Sequence, residues 1–90
     1  MNFPKNINQA VNIAIEMTET RLVEFPNYGV YFHAKEQLKF IQDVLQGENS
    51  PTAAEKSKID IGLMAVRELE IEEPDYAAVL IYISARFEEM

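Results

Sequence analysis

Proline and glycine constrain this chain more than any other residues. Pro26, the Gly47 and Pro51 pair, and Pro74 divide it into four segments. Proline disfavours helical geometry at the residue before it, and glycine enters the left-handed region at little steric cost. Each is therefore a natural place for a helix to stop or restart. Between these breaks, apolar residues recur at three-to-four spacing, the period of a helix. Alternation of apolar and polar residues never persists for long, so no strand pattern competes.

The first helix is predicted from about Asn6 to Phe25, with Asn6 as its N-cap. Ile7, Val11, Ala14, Thr18, Leu22 and Phe25 form its inner face. Pro26 stops it. The second helix runs from about Tyr28 to Gln46, with Val30, Ala34, Leu38, Ile41 and Leu45 turned inward and Gly47 ending it. In the third, Ser50 reads as the N-cap and Pro51 as the first helical residue, and the helix continues to about Glu72. Ala54, Ile61, Ala65 and Leu69 define its inner face, and Gly62 beside them permits close approach of another helix. Lys56, Asp60 and Arg67 point away. The fourth helix runs from Pro74 to about Glu88, with Tyr76, Leu80, Ile83 and Phe87 on one face. Ala77, Ala78, Ile81, Tyr82 and Ala85 make it apolar nearly all round, so it should be buried on more than one side. Short connections favour antiparallel neighbours. The predicted fold is all-α: one compact antiparallel bundle of about four helices over residues 1–90.

Composition narrows the class of function. Ninety residues suffice for one modest core, and 48% hydrophobic with 26% charged is ordinary for a globular protein. The absence of cysteine excludes disulfide and thiol chemistry and fits a cytoplasmic protein. Met1-Asn2-Phe3-Pro4-Lys5-Asn6 shows no signal-peptide pattern. The longest apolar stretch, Tyr76 to Ile83, is too short to span a membrane. The net charge of −7, from 15 acidic and 8 basic residues, argues against phosphate neutralisation and hence against a nucleic-acid partner. It favours solubility in the first place, and it also suits a basic partner.

No catalytic constellation is legible. His33 is the sole histidine, so a zinc site is not expected, and no calcium-loop spacing occurs. The glycines at 29, 47 and 62 are isolated, so there is no phosphate-cradling loop. Ser57 and Ser84 sit inside predicted helices without a base nearby. Glu72 and Glu73 are adjacent, and adjacent helical side chains diverge rather than cooperate in acid–base work. His33 and Gln37 read as structural: the histidine as half-buried and bonded to a carbonyl or water, the glutamine as bonded to a helix end or the 26–29 turn. The expectation is a non-enzyme with no cofactor and no metal.

The acidic junction is the most distinctive charge feature. Glu68, Glu70, Glu72, Glu73 and Asp75 crowd the end of the third helix and the start of the fourth, with no basic residue among positions 68–75. Glu73 and Asp75 suit the positive end of the fourth helix, whereas Glu68, Glu70 and Glu72 lie at the unfavourable end of the third. The cost is of the order of 0.3–1 kcal/mol per well-placed charge; either a solvated surface tolerates it or a basic partner offsets it. Off the inner faces, Phe32 and Leu63 read as core. Met64, between Asp60 and Arg67, and Tyr82 read as contact residues. The candidate partner-binding set is Asp60, Met64, Arg67, Glu68, Glu70, Glu72, Glu73 and Tyr82.

Two stretches resemble the type VI secretion immunity protein six family. The first is Phe25-Pro26-Asn27-Tyr28, continuing as Ala34-Lys35-Glu36-Gln37-Leu38-Lys39-Phe40-Ile41-Gln42-Asp43-Val44-Leu45. The second is Ile59-Asp60-Ile61-Gly62, then Ala65-Val66-Arg67-Glu68-Leu69 and the acidic turn into Pro74. The likeness runs from Phe25 to about Phe87; the segment before it, the residues past Arg86 and the loop from Gln46 to Thr52 depart from it. The resemblance implies a non-enzymatic helical inhibitor. Such a protein binds a cognate secreted antibacterial toxin domain, an NAD(P)+ glycohydrolase, and blocks its nucleotide-binding cleft. The competing reading is a structural or adaptor module that self-associates through its fourth helix as a homodimer; an immunity protein that also dimerises would satisfy both.

Overall fold

In the computed structural model, which describes residues 3–47 and 50–90, the chain forms α1 (Ile7–Glu24), α2 (Gly29–Leu45), α3 (Ala53–Ser57), α4 (Ile61–Glu68) and α5 (Pro74–Glu88). Met1 and Asn2 lie outside the described residues, as do Glu48 and Asn49 of the predicted 46–52 loop. The all-α fold is as expected. Its four longer helices close a ring in which α1 packs on α2, α2 on α4, α4 on α5 and α5 on α1.

The predicted cap at the first helix start and the predicted stop at the second break hold. Asn6 Oδ1 accepts the Gln9 backbone N–H at 2.9 Å, and Gly47 ends the α2 segment with φ of 79°. Ala10, Ala14, Ala34, Ala65 and Ala77 are fully buried, and their small side chains let the backbones approach closely around Leu38, Ile41, Leu80 and Ile83. Gly62 does the same between α4 and α5. A Cβ there would meet the Ser84 Cβ at 2.8 Å. Helix α5 is apolar on most sides because both α1 and α4 cover it, burying Tyr76, Ala77, Val79, Leu80, Ile83 and Phe87.

The predicted third helix is instead two. Ile59 is partly buried against the core and Ile61 is fully buried. In one continuous helix these positions would face about 200° apart, so only a break lets both point inward. The chain therefore starts α3 late, turns at 58–60, and begins α4 afresh. Thr52, not Ser50, is the α3 N-cap: its hydroxyl accepts the Glu55 N–H at 3.1 Å while Glu55 accepts the Thr52 N–H at 3.0 Å. The break also shifts the register, which leaves Ala54 exposed rather than inward. Gln37 secures the turn. Its amide donates to the Lys58 carbonyl at 3.1 Å and its oxygen accepts the Asp60 N–H at 2.9 Å. Backbone groups freed by the break are thereby satisfied from α2, as a helix end requires.

Helix α4 stops at Glu68, and residues 69–72 form turns, with the Glu73 N–H reaching the Leu69 carbonyl at 2.8 Å. Four other inner-face assignments change. Phe25, Phe32 and Leu63, expected in the core, are 54%, 56% and 54% exposed. Met64, expected on a polar side, is partly buried against the core. With α4 short, its buried stripe narrows to Ile61, Ala65 and Leu69; Leu63 falls on the outer face and Met64 on the flank.

Candidate functional site

The α4–α5 junction meets the α1–α2 turn at one end of the bundle, and a polar network joins them. The Arg21 guanidinium of α1 donates from Nε to Glu73 Oε1 at 2.5 Å and from Nη1 to the Met17 carbonyl at 3.0 Å. The Tyr31 hydroxyl of α2 donates to the other Glu73 oxygen at 2.6 Å. One carboxylate thus ties three helices together. Beneath it, the guanidinium lies 4.2 Å from the Tyr76 ring centroid. The Thr18 hydroxyl donates to the Ala14 carbonyl at 2.7 Å, so the Tyr76 hydroxyl, 2.6 Å away, donates to Thr18. Burial, the Glu73 hydrogen bond and the Glu73 charge push the Tyr31 hydroxyl up to about 12 against a smaller opposing pull from Arg21. Burial also raises Tyr76, partly offset by Thr18 and Arg21.

On the outer side of this network lies a groove of about 270 Å³. Phe25, Tyr28, Tyr31 and Leu69 supply its apolar surface, and Glu68, Glu72 and Glu73 supply its carboxylates. The rings brace one another: Tyr28 meets Tyr31 edge-on at 4.8 Å, and Phe25 lies 6.3 Å from Tyr31. Phe25 and Tyr28 nevertheless remain 54% and 42% exposed. Glu73 is spent on Arg21 and Tyr31. Among the described residues, the ion pairs are Arg21–Glu73, His33–Asp60 and Arg86–Glu89, and none involves Glu68, Glu70, Glu72 or Asp75.

The other sequence-predicted contact residues lie elsewhere. Asp60 belongs to a clamp in which His33 Nε2 stands 2.7 Å from its Oδ1 and the Gln37 amide donates to the same oxygen at 2.8 Å. The His33 bond holds the Asp60 carboxyl below its usual range; burial opposes it and Gln37 reinforces it. Gln37 thus bonds a helix end, as its sequence position suggested, while His33 is exposed and pairs with a carboxylate rather than a carbonyl or water. Arg67 and Glu70 point to solvent and Met64 turns inward. Tyr82, on α5, packs edge-on against Phe3 at 5.2 Å, with the Arg86 guanidinium 5.4 Å from its ring. The structure therefore gathers Glu68, Glu72 and Glu73 and separates them from Asp60 and Tyr82. Sequence reading missed Phe25, Tyr28 and Tyr31 as partners of the acidic junction. The available signal was the Phe-Pro-Asn-Tyr run itself, which sets two aromatics on a short turn rather than on a helix face.

A larger recess, of about 400 Å³, lies between α3 and the end of α5, lined by Lys56, Ile59, Ser84 and Phe87 among others. Within it Lys56 donates to the Met90 carbonyl and the Ser57 hydroxyl to the Ala54 carbonyl, so the two are not engaged as a nucleophile–base pair. No cluster of three or more metal-ligating side chains occurs among the described residues, and no helix there is long and apolar enough to cross a membrane.

Among solved structures, Tsi6 from Pseudomonas aeruginosa superposes with a TM-score of 0.82 at 22% identity, over 91% of this chain and 84% of that one. No curated protein sequence matches significantly. The Tsi6 family model matches residues 6–89, which extends the likeness beyond the motifs to α1 and to the end of α5. The chain therefore belongs to the Tsi6 family, the immunity-protein family that its Phe25–Phe87 pattern resembles.

Proposed function

We propose that this protein is a cytoplasmic immunity protein that binds a cognate secreted antibacterial toxin, an NAD(P)+ glycohydrolase effector, and blocks its active site. The family match over residues 6–89 carries the reading. The charge distribution supports it. A cleft that holds the pyrophosphate of a dinucleotide needs positive charge, and a protein of net charge −7 with carboxylates left without cations suits such a cleft. The inhibition proposed is steric. A bundle whose recognition surface is braced by Arg21, Tyr31 and Glu73 loses little entropy on docking. Glu68, Glu70 and Glu72 would supply the contacts, with Glu73 bracing them and Asp60, Arg67 and Tyr82 as further candidates; Met64, turned toward the core, would contribute least.

Co-expression with the toxin domain encoded beside this gene tests the reading. Cells carrying both should keep their NAD+ and grow, and the two chains should co-elute on a sizing column. Loss of NAD+ and viability without a complex would overturn it. Self-association through α5 gains no specific support, because α1 and α4 already cover most of that helix's apolar surface. Light scattering at high concentration should give the monomer mass.

A further inference from the structure

We propose that the groove between the α1–α2 turn and the α4–α5 junction receives an arginine side chain from the toxin. This rests on the immunity reading above and identifies the face and the chemistry by which the partner is held. Phe25 and Tyr28 stay exposed at a turn made rigid by Pro26 and braced by Tyr31. Beside them, Glu68 and Glu72 line the groove with no ion-pair partner among the described residues. Glu68 also ends α4, where the helix dipole disfavours a negative charge. An apolar patch alone would accept any hydrophobe, and carboxylates alone would accept any cation. Together they suit a cation with a flat, weakly hydrated face, which is a guanidinium rather than an ammonium.

The protein already contains this arrangement one layer down. Arg21 lies against the Tyr76 ring at 4.2 Å while its Nε pairs with Glu73 at 2.5 Å. The outer groove repeats the aromatic and carboxylate components in Tyr28, Phe25, Glu72 and Glu68, without a cation of its own. Its volume of about 270 Å³ accommodates one long side chain, and the occupant proposed is a single arginine.

The test is calorimetric titration of the toxin domain encoded beside this gene into three proteins: wild type, Glu68→Gln/Glu72→Gln and Phe25→Ser/Tyr28→Ser. Each double variant should bind roughly 10–100-fold more weakly, as removal of central interface anchors does. The Gln variant should also lose part of the salt dependence. Glu16→Gln/Glu19→Gln, on the exposed side of α1, should bind within about twofold of wild type. Circular dichroism should show every variant folded. On the toxin side, arginines replaced singly by alanine should include one whose loss is not additive with Glu68→Gln/Glu72→Gln, and lysine at that position should not restore affinity. If wild type binds tightly and both double variants bind equally tightly, the groove proposal is wrong and the immunity reading stands. If the groove variants weaken but no arginine couples to them, the assignment of the occupant is wrong. If wild type does not bind at all, both fall together.

Discussion

The two ends of the bundle are held by different kinds of bond. At the α1–α2 turn and α4–α5 junction, residues far apart in sequence are joined through Glu73, Arg21, Tyr31, Tyr76 and Thr18. At the opposite side, the side-chain bonds of the 50–60 segment are all exposed to water, whereas those of the first end are buried or half-buried. The capping box of α3 spans only Thr52 to Glu55, and α3 has no buried residue. Gln37 and His33 pin its far end to α2, and Lys56 of α3 donates to the Met90 carbonyl. Long-range polar bonds stabilise the whole fold because breaking them separates helices, whereas local bonds stabilise only the segment that makes them. The end proposed to meet a partner is the one built to stay still.

Glu73→Ala should produce the largest change. It leaves the Arg21 guanidinium, about a quarter exposed, and the buried Tyr31 hydroxyl without their shared acceptor. Losing one partner of a fully buried pair costs about 3–5 kcal/mol; with partial solvent access, about 2 kcal/mol is expected. For a chain of this size that lowers Tm by roughly 10 °C, measurable by thermal melting. A shift under about 2 °C would place the stability of this end in its apolar packing alone.

Tyr31→Phe sharpens the same point and adds a pH signature. Losing one hydrogen bond to a carboxylate costs about 1.5 kcal/mol near neutral pH. Because the folded-state value of about 12 lies above the ordinary value of 10.0, the folded protein holds this proton more tightly than the unfolded chain. The linked stability is fully present below about pH 10 and is lost as pH rises toward 12. Denaturant titrations from pH 9 to 12 should therefore show a shallower alkaline decline for Tyr31→Phe than for wild type. Tyr76 contributes in the same direction and remains in both proteins.

The same contrast explains what was legible in the sequence. Asn6, Pro26, Gly47 and Pro74 act on their immediate neighbours, so the ends of α1, α2 and the start of α5 could be read directly. The break at 58–60 could not, because it depends on Ile59 and Ile61 both finding the core and on Gln37 lying across from them. No proline or glycine occupies that turn, and an unbroken helix was the simpler local reading. The candidate site was half legible. The carboxylates cluster in sequence, but the aromatic side of the groove arrives from Phe25 and Tyr28, some 40 positions away. Met64 was misplaced for a related reason: one residue of error in the inner stripe of a short helix turns a side chain by about 100°.

At the weaker end, Gln37→Ala should cost about 1 kcal/mol, since it removes bonds to the Lys58 carbonyl and the Asp60 N–H that water can partly replace. The telling measurement is hydrogen exchange. Amides of residues 53–60 should exchange faster, while those of Ala14, Leu38 and Ile83 change only as global stability does. Uniform acceleration across the chain would show that the clamp serves the whole bundle instead.

Thr52→Ala should have the smallest effect and gives the cleanest comparison with Glu73→Ala. It removes one side of a capping box, worth about 0.5–1 kcal/mol to the helix that contains it. That helix is five residues long and buries none of them, so its loss exposes little that was dry. The chain can fray α3 while α1, α2, α4 and α5 keep their packing. The measured Tm should therefore move by less than about 2 °C, even as the 53–57 amides lose their protection. A drop approaching that of Glu73→Ala would mean that α3 carries stability into the core through Ile59 and the Gln37 clamp, which would make the two ends of the bundle mechanically equivalent.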